Sequence, residues 1–510
     1  MRHYLACLVA LVLFAGPASA AVVEPQQTVS VHDVGANCVA LARHDFSDVP
    51  DAPSLVVSAT VVATGAELPR HCLVEGRIAP TIGYRMWLPL AGWNGKYAQG
   101  GCGGKCGFIL DDGCQLMLMR GYACLAADMG HTGTMYDDLW AIDNVQGDID
   151  YGFRSTHVAA ITGKAVTTYF YSRAPAHAYF IGASQGGRQG LVEAQRFPLD
   201  FDGIVAGEPR MARSSATPLD HASVYAAIRL SGTGAAIVSP DQLRAVNAYV
   251  VAKCDMDDNL KDGIISDPRT CAFDPSELQC ARVKTTPCLT RDQVAAMRDV
   301  YRGSIDTAGR VIQHGPYPGS ELHWIGAYIS ADGSKGRYAP RYALPRRFPY
   351  SNIYIDSSNP DLRPFRASGG KLIAYVGWAD ETNVTAVTID YYDTVERVIG
   401  GRAATQDFFR LFVIPGEGHI PIGTGAETVD YVTALENWVE RGAAPDRLVG
   451  AKLKVHTRFA GPLTYPTDLA AGNIAFTRPV YPYPLQARYL GVGSPNSDAS
   501  FEPIMPQTAH

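Results

Sequence analysis

Gly182-Ala183-Ser184-Gln185-Gly186 follows the apolar run Ala178-Tyr179-Phe180-Ile181 and precedes a helix-like stretch from Gly187 to Ala194. A serine in a G-x-S-x-G turn between strand and helix sits on a backbone so sharply bent that only small residues fit beside it. The bend lifts the hydroxyl clear of the sheet. Such a hydroxyl becomes a nucleophile for acyl transfer once a neighbouring base takes its proton. With 50 glycines in 510 residues the bare pattern arises easily by chance, so its meaning depends on the partners the chain supplies.

Two candidates stand downstream. Asp380 closes Gly377-Trp378-Ala379-Asp380, just after the apolar run Lys371 to Val376. His419 closes Pro415-Gly416-Glu417-Gly418-His419, just after the run Phe408 to Ile414. Serine, then acid, then histidine is the chain order of the nucleophile-elbow hydrolases. In that arrangement His419 accepts the proton of Ser184, while Asp380 holds the imidazole in one tautomer and stabilises its cation. Glu381, the next residue, competes with Asp380 for that role. A tetrahedral oxyanion needs two aimed N–H groups. One is expected from Gln185 and the other from the loop Gly100-Gly101-Cys102-Gly103-Gly104, where Gly101 and Gly103 are the candidates.

The elements that must position these groups follow from the hydrophobic rhythm. Strand-like Met86-Trp87-Leu88, Lys96 to Gln99 and Tyr122 to Ala127 precede a helical pattern near Gly152 to Tyr171. Strand, helix, strand in this order predicts an α/β fold with a mostly parallel sheet. After Gly203-Ile204-Val205-Ala206-Gly207-Glu208-Pro209 the rhythm breaks, and it resumes near Lys371. The expected division is a first part of the core over 21–208, an inserted lid domain over 209–367 and a second part of the core over 368–510. An insertion there falls at the carboxyl ends of the strands, over the serine.

Residues 1–20 read as a cleavable secretory signal: Arg2, an apolar core from Leu5 to Ala15, and Ala18-Ser19-Ala20 before the cut. A secreted or periplasmic protein is expected. Without this segment and its single Arg2, 43 basic side chains face 50 acidic ones, a net charge of −7 against −6 for the whole chain. The absence of a basic stripe argues against nucleic acid or a membrane surface as partner, and no further apolar run is long enough to span a bilayer. Eleven cysteines less Cys7 leave ten, an even number that reads as a disulfide framework in an exported chain. Spacing leaves the pairing open. Cys102, Cys106, Cys114 and Cys124 also allow a zinc site, although no histidine joins them at finger spacing.

Longer blocks add a resemblance. Tyr151-Gly152-Phe153-Arg154-Ser155-Thr156-His157, the stretch Tyr179 to Gln189 around Ser184, and Glu193-Ala194-Gln195-Arg196-Phe197-Pro198-Leu199-Asp200-Phe201-Asp202-Gly203-Ile204 closely resemble the tannase and feruloyl esterase family. So do Asn359-Pro360-Asp361-Leu362, Gly369-Gly370-Lys371 and Gly377-Trp378-Ala379-Asp380. The likeness runs from about Cys38 to the C-terminal region. It implies an α/β-hydrolase core with a lid, acting as a serine esterase on small esters of aromatic acids without an organic cofactor.

The same resemblance implies that the loop Cys254 to Ile264 is a structural Ca²⁺ site of the lid. Its ligands would be the carboxylates of Asp255, Asp258 and Asp262 and the main-chain carbonyls of Leu260 and Ile264; clustered hard oxygens are what Ca²⁺ requires. Cys254–Cys271, Cys280–Cys288 and Cys38–Cys72 pairs are implied as well. One departure stands out. Most of the family carries a cysteine just before the serine and another just after the histidine, joined to each other, where this chain has Ala183 and Ile420.

Lid residues Trp324, Tyr328, Tyr338, Tyr342, Phe348 and Tyr350 offer a stacking wall, and Arg337, Arg341, Arg346 and Arg347 offer carboxylate recognition; none is assigned to a site. The expected function is a secreted carboxylic ester hydrolase acting on phenolic esters through an acyl-enzyme. A non-catalytic ligand-binding protein of the same fold, an esterase of other substrate range and a peptidase on the same core are the alternatives.

Overall fold

The computed structural model describes residues 31–65, 68–137, 139–211, 228, 235–280, 287–336, 351–419, 423–455 and 471–506. The expected signal segment, Ile420 and the lid residues from Arg337 to Tyr350 lie outside them.

Nine strands form one sheet. They are β1 Ser54–Val62, β2 His71–Ile78, β3 Ile82–Pro89, β4 Lys96–Gly100, β5 Ala123–Ala127, β6 His177–Ala183, β7 Gly203–Gly207, β8 Lys371–Gly377 and β9 Phe409–Ile414, in the spatial order β1-β2-β3-β5-β4-β6-β7-β8-β9. The first three pair antiparallel, and from β5 to β9 every neighbouring pair is parallel. Sequence explains the difference. At the β1 edge Val56 is buried while Leu55 and Val57 are exposed, an alternation that suits a strand with one wet face. β5 and β7 are buried at every residue, as strands covered on both faces must be.

Helices cover both faces. Side chains of α1 Val31–Leu41, α3 Ser155–Tyr171, α4 Gln185–Arg196 and α7 Thr385–Ile399 join one apolar core with alternate strand residues. Those of α2 Asp111–Met119 and α8 Tyr431–Arg441 join the core on the other face. The helix expected from Gly152 begins instead as a π-helical turn, Asp150–Arg154, which runs into α3 at Ser155.

The chain between β7 and β8 carries α5 Pro240–Cys254 and α6 Arg291–Arg302. Ser239 with Gln242 caps the first and Thr290 with Gln293 the second, each in a reciprocal capping box. Leu243, Val246, Val250, Val294, Met297 and Trp324 build an apolar cluster of this segment's own. Trp324 and Tyr328, candidates for a stacking wall, are fully buried, and the Tyr328 hydroxyl donates to the carbonyl of Glu381. Their place is in packing this segment onto the core.

All ten remaining cysteines pair. Cys38–Cys72, Cys254–Cys271 and Cys280–Cys288 join as the resemblance implies, and the four left open form Cys102–Cys106 and Cys114–Cys124. The zinc alternative for those four is thereby excluded, since a disulfide sulfur has no thiolate to offer a metal.

Candidate active site

Strand register brings the chemistry together. Ala183 of β6 lies beside Gly207 of β7, Gly207 beside Tyr375 of β8, and Gly377 of β8 beside Ile414 of β9. Four adjacent strands therefore end side by side, and Ser184, Glu208, Asp380 and His419 each follow one of those carboxyl ends.

Ser184 has φ +59° and ψ −116°, a backbone conformation that costs a non-glycine residue about 1–3 kcal/mol. Backbone bonds hold it: its N–H donates to the Gly207 carbonyl at 2.9 Å, and its carbonyl accepts from Arg188 in the helix that follows and from Arg210, at 3.1 Å each. Glycines let the turn close. A Cβ on Gly182 would stand 2.6 Å from the carbonyl carbon of Gly186, and one on Gly187 would stand 2.1 Å from the Gly207 carbonyl oxygen.

The Ser184 hydroxyl lies 3.0 Å from Nε2 of His419, and Nδ1 of His419 lies 3.0 Å from Oδ2 of Asp380. The other oxygen of Asp380 accepts the N–H groups of Thr382 and Asn383 at 2.8 and 2.7 Å, which fixes the carboxylate's orientation. Glu381 takes a different post. Its carboxylate accepts the backbone N–H of His419 at 3.3 Å, so it supports the loop while Asp380 faces the ring.

Both His419 and Asp380 are buried. Burial by itself disfavours the imidazolium, but the carboxylate of Asp380, followed by those of Glu208 and Glu381, outweighs it and raises His419 to about 9. Glu208 was not anticipated as a site residue. Its Oε2 lies 3.6 Å from Nδ1 of His419, and it is wholly buried. The signal that would have found it is a lone acid placed directly after an all-apolar strand.

The glycine loop after β4 corrects one expectation. Gly101 has no donor to spare, because its N–H is bonded to the Ile181 carbonyl at 2.9 Å. A Cβ there would stand 2.7 Å from Gly186 Cα, so this glycine serves the close approach of loop to helix. The N–H of Cys102 is likewise used, by the side-chain carbonyl of Gln189 at 3.2 Å. Gly103 has open space where a Cβ would be, and its N–H donates to none of the described residues. Gln185 is the first residue of α4, where an N–H has no carbonyl one turn back to bond.

The remaining motif blocks meet beneath the elbow. Arg188, buried under the serine turn, donates to the carbonyls of Tyr151, Gly152 and Ile355 at 2.7, 2.8 and 3.1 Å. His157 and Asp200 lie 2.5 Å apart beside the buried Glu193.

Away from the serine, the acidic loop folds on itself. Asp255 Oδ1 accepts the N–H groups of Asp262, Gly263 and Ile264 at 3.2, 2.9 and 3.1 Å. Asp258 accepts the Leu260 N–H at 3.0 Å and the Ser266 hydroxyl at 2.7 Å, and Asp262 accepts from Arg478 at 2.6 Å. Burial raises Asp258 to about 6, with Asp262 and Asp255 adding repulsion. Among the described residues, the histidine and carboxylate groups whose ligand atoms lie within 4.8 Å of one another are His157–Glu193–Asp200 and Glu208–Asp380–His419; the acidic loop is not one of them.

A doubly covered, mostly parallel sheet with serine, acid and histidine at the ends of neighbouring strands defines an α/β-hydrolase. The chain belongs to the tannase and feruloyl esterase family: that family's model matches residues 66–339 and 343–504. It is 32% identical to an uncharacterised esterase of Xanthomonas campestris pv. campestris, over 91% of this chain and 89% of that protein. Identity with the mono(2-hydroxyethyl) terephthalate hydrolase of Piscinibacter sakaiensis is 30%, over 87% of this chain and 86% of that one. The crystal structure of feruloyl esterase B from Aspergillus oryzae superposes with a TM-score of 0.76 at 25% identity, covering 92% of this chain and all of that one. The protein is a carboxylic ester hydrolase. Among its described residues no helix is long and apolar enough to cross a membrane.

Proposed function

We propose that the protein hydrolyses esters of phenolic acids by acyl transfer to Ser184. The observation that carries this reading is the unbroken chain from the Ser184 hydroxyl through His419 to Asp380, with both contacts at 3.0 Å. As Ser184 Oγ bonds to the ester carbonyl carbon, its proton passes to His419 Nε2. The carbonyl oxygen becomes an oxyanion and is received by the N–H of Gln185 and, from the glycine loop, that of Gly103. His419 then returns the proton to the alcohol oxygen as the carbon–oxygen bond breaks, leaving an acyl-enzyme. Water repeats the sequence: its proton goes to His419, its oxygen bonds to the acyl carbon, and Ser184 regains a proton as the acid departs.

Names borne by relatives support an aromatic acyl group, since they include a terephthalate half-ester hydrolase and a feruloyl esterase. Residues 209–367 are read as a lid, supported by the apolar cluster that this segment builds for itself and by the bond from the Tyr328 hydroxyl to the Glu381 carbonyl beside Asp380. Five disulfides and the N-terminal apolar segment support export. The acidic loop is read as a Ca²⁺ site on the family resemblance, and the cation would displace the bonds its carboxylates now make to backbone N–H groups, Ser266 and Arg478. Burial raises Asp258, and the neighbouring Asp262 and Asp255 add repulsion; the resemblance implies the carbonyl oxygens of Leu260 and Ile264 as further ligands. A bound cation would offset that repulsion and stiffen the segment, with no part in the acyl chemistry.

The experiment is hydrolysis of methyl gallate, methyl ferulate, mono(2-hydroxyethyl) terephthalate and a short p-nitrophenyl ester by wild type and Ser184→Ala. Turnover of an aromatic ester that falls by about 10³-fold or more in the variant supports the reading. Turnover of the p-nitrophenyl ester alone would remove the phenolic assignment, and undiminished turnover by Ser184→Ala would remove the nucleophile.

A further inference from the structure

We propose that Glu208 is a positioning residue of the ester hydrolysis, a second carboxylate that shares the Nδ1 edge of His419 with Asp380. The inference rests on the reading of Ser184, His419 and Asp380 as nucleophile, base and acid.

Glu208 is held in place rather than left to drift. Its φ is +42°, a left-handed conformation that a non-glycine residue keeps only when its surroundings impose it. Its N–H donates to the Tyr375 carbonyl of β8 at 2.6 Å, and its carbonyl accepts the side-chain amide of Asn383 at 2.7 Å. Asn383 also donates its backbone N–H to Asp380 at 2.7 Å. One residue thus ties both acids to a common frame, and strand register between β7 and β8 sets their separation.

The two carboxylates divide the work by distance. Asp380, at 3.0 Å, takes the hydrogen bond from Nδ1. Glu208, at 3.6 Å, is beyond a good hydrogen bond and acts through its charge. Both carboxylates are buried and lie within 4.0 Å of Nδ1. When the Ser184 proton arrives at Nε2, the ring acquires a positive charge beside both. Glu208 therefore favours the ion pair that forms on the way to the tetrahedral intermediate, and it strengthens the base at the same time.

Other charged and titratable groups face this ring or its supports. Glu381 follows Asp380, Glu417 lies on the loop after β9, and Tyr375 and Tyr431 lie on β8 and α8. His323 packs against Gly418 from the inserted segment, and the Arg210 N–H bonds to the Ser184 carbonyl. Among all of these, Glu208 and Asp380 are the two carboxylates within 4.0 Å of the imidazole nitrogens.

The test is the pH dependence of kcat/KM for an ester that wild type hydrolyses, measured for wild type, Glu208→Gln, Glu208→Asp, Asp380→Asn and the double variant Glu208→Gln/Asp380→Asn. Ser184→Ala serves as control for the underlying reading. Glu208→Gln should move the rising limb toward acid by about one pH unit with KM nearly unchanged, and Glu208→Asp should fall between it and wild type. Asp380→Asn should stay roughly tenfold or more above the double variant, because Glu208 still supports the imidazolium. If Glu208→Gln does not fold, the Glu208→Asp profile and the comparison of Asp380→Asn with Glu208→Asp/Asp380→Asn carry the test. An unmoved limb in the folded Glu208 variants, or equal activities of Asp380→Asn and the double variant, would overturn the proposal and leave the triad standing. Full activity in Ser184→Ala would remove both.

Discussion

The Ser184 hydroxyl and His419 Nε2 lie 3.0 Å apart across 235 residues of chain. Each stands on a turn just past the end of a parallel strand, so their separation is set by strand order and register rather than by any local sequence feature. Ala183 and Ile420 stand where the family resemblance implies a joined cysteine pair. Yet the serine-side turn keeps its geometry through the N–H of Ser184 bonded to Gly207 and the glycine contacts beneath it.

The strained serine gives a stability prediction. Ser184→Gly and Ser184→Ala should both be inactive, but glycine accepts φ +59° without a Cβ penalty and alanine does not. Ser184→Gly should be more stable than Ser184→Ala by about 1 kcal/mol, the difference of a positive-φ penalty and the extra chain entropy of glycine. Urea denaturation of the two variants measures it.

At Gly187 two effects oppose each other. Alanine in place of a helical glycine gains about 1 kcal/mol of helix propensity. Its Cβ would stand 2.1 Å from the Gly207 carbonyl oxygen and 2.9 Å from Pro209 Cα, and both of those are backbone atoms that cannot swing aside. Overpacking of this kind costs about 1–3 kcal/mol or more, so Gly187→Ala should be destabilised on balance. It should also lose activity, because β7 holds Ser184 and Glu208. Melting temperature and ester turnover check the two halves.

His419 links pH to both rate and stability. Only the neutral imidazole can take the serine proton, and the group titrates at about 9. kcat/KM should therefore rise with pH through neutrality and level off above about 9. The sign for stability is opposite. A pKa raised in the folded state means that the stabilisation is fully present below the unfolded value of about 6.5 and is lost as pH rises through about 9. Its size is on the order of 3 kcal/mol. Denaturation on either side of that window should show wild type weakening toward alkaline pH, with less of that loss in Asp380→Asn.

Removal of calcium should loosen the inserted segment. Free cation at 100 times its dissociation constant contributes about 3 kcal/mol to the folded state. A chelator should lower the melting temperature by several degrees, calcium but not sodium should restore it, and Asp258→Asn should blunt the response. Turnover at low temperature should change less than stability, since the loop holds no group of the proposed acyl chemistry.

Much of the architecture was legible in the sequence. Periodicity marked the parallel strands, the rhythm broke after Pro209 and resumed at β8, and strand–turn–helix context marked Ser184. Asp380 and His419 were legible because strand ends in this fold carry the chemistry. Three things were not. The pairing of Cys102, Cys106, Cys114 and Cys124 depends on which loops approach in space. The spent N–H of Gly101 depends on its alignment with Ile181 across β4 and β6. Glu208 could be read only as the end of a strand, until β7 was found next to β8 and its side chain beside His419. Local sequence determined the turns and the residue types, because backbone sterics and hydrophobic patterning act over a few residues. Tertiary structure alone decided which charges meet, because a buried electrostatic site is assembled from strands whose neighbours in space are not their neighbours in the chain.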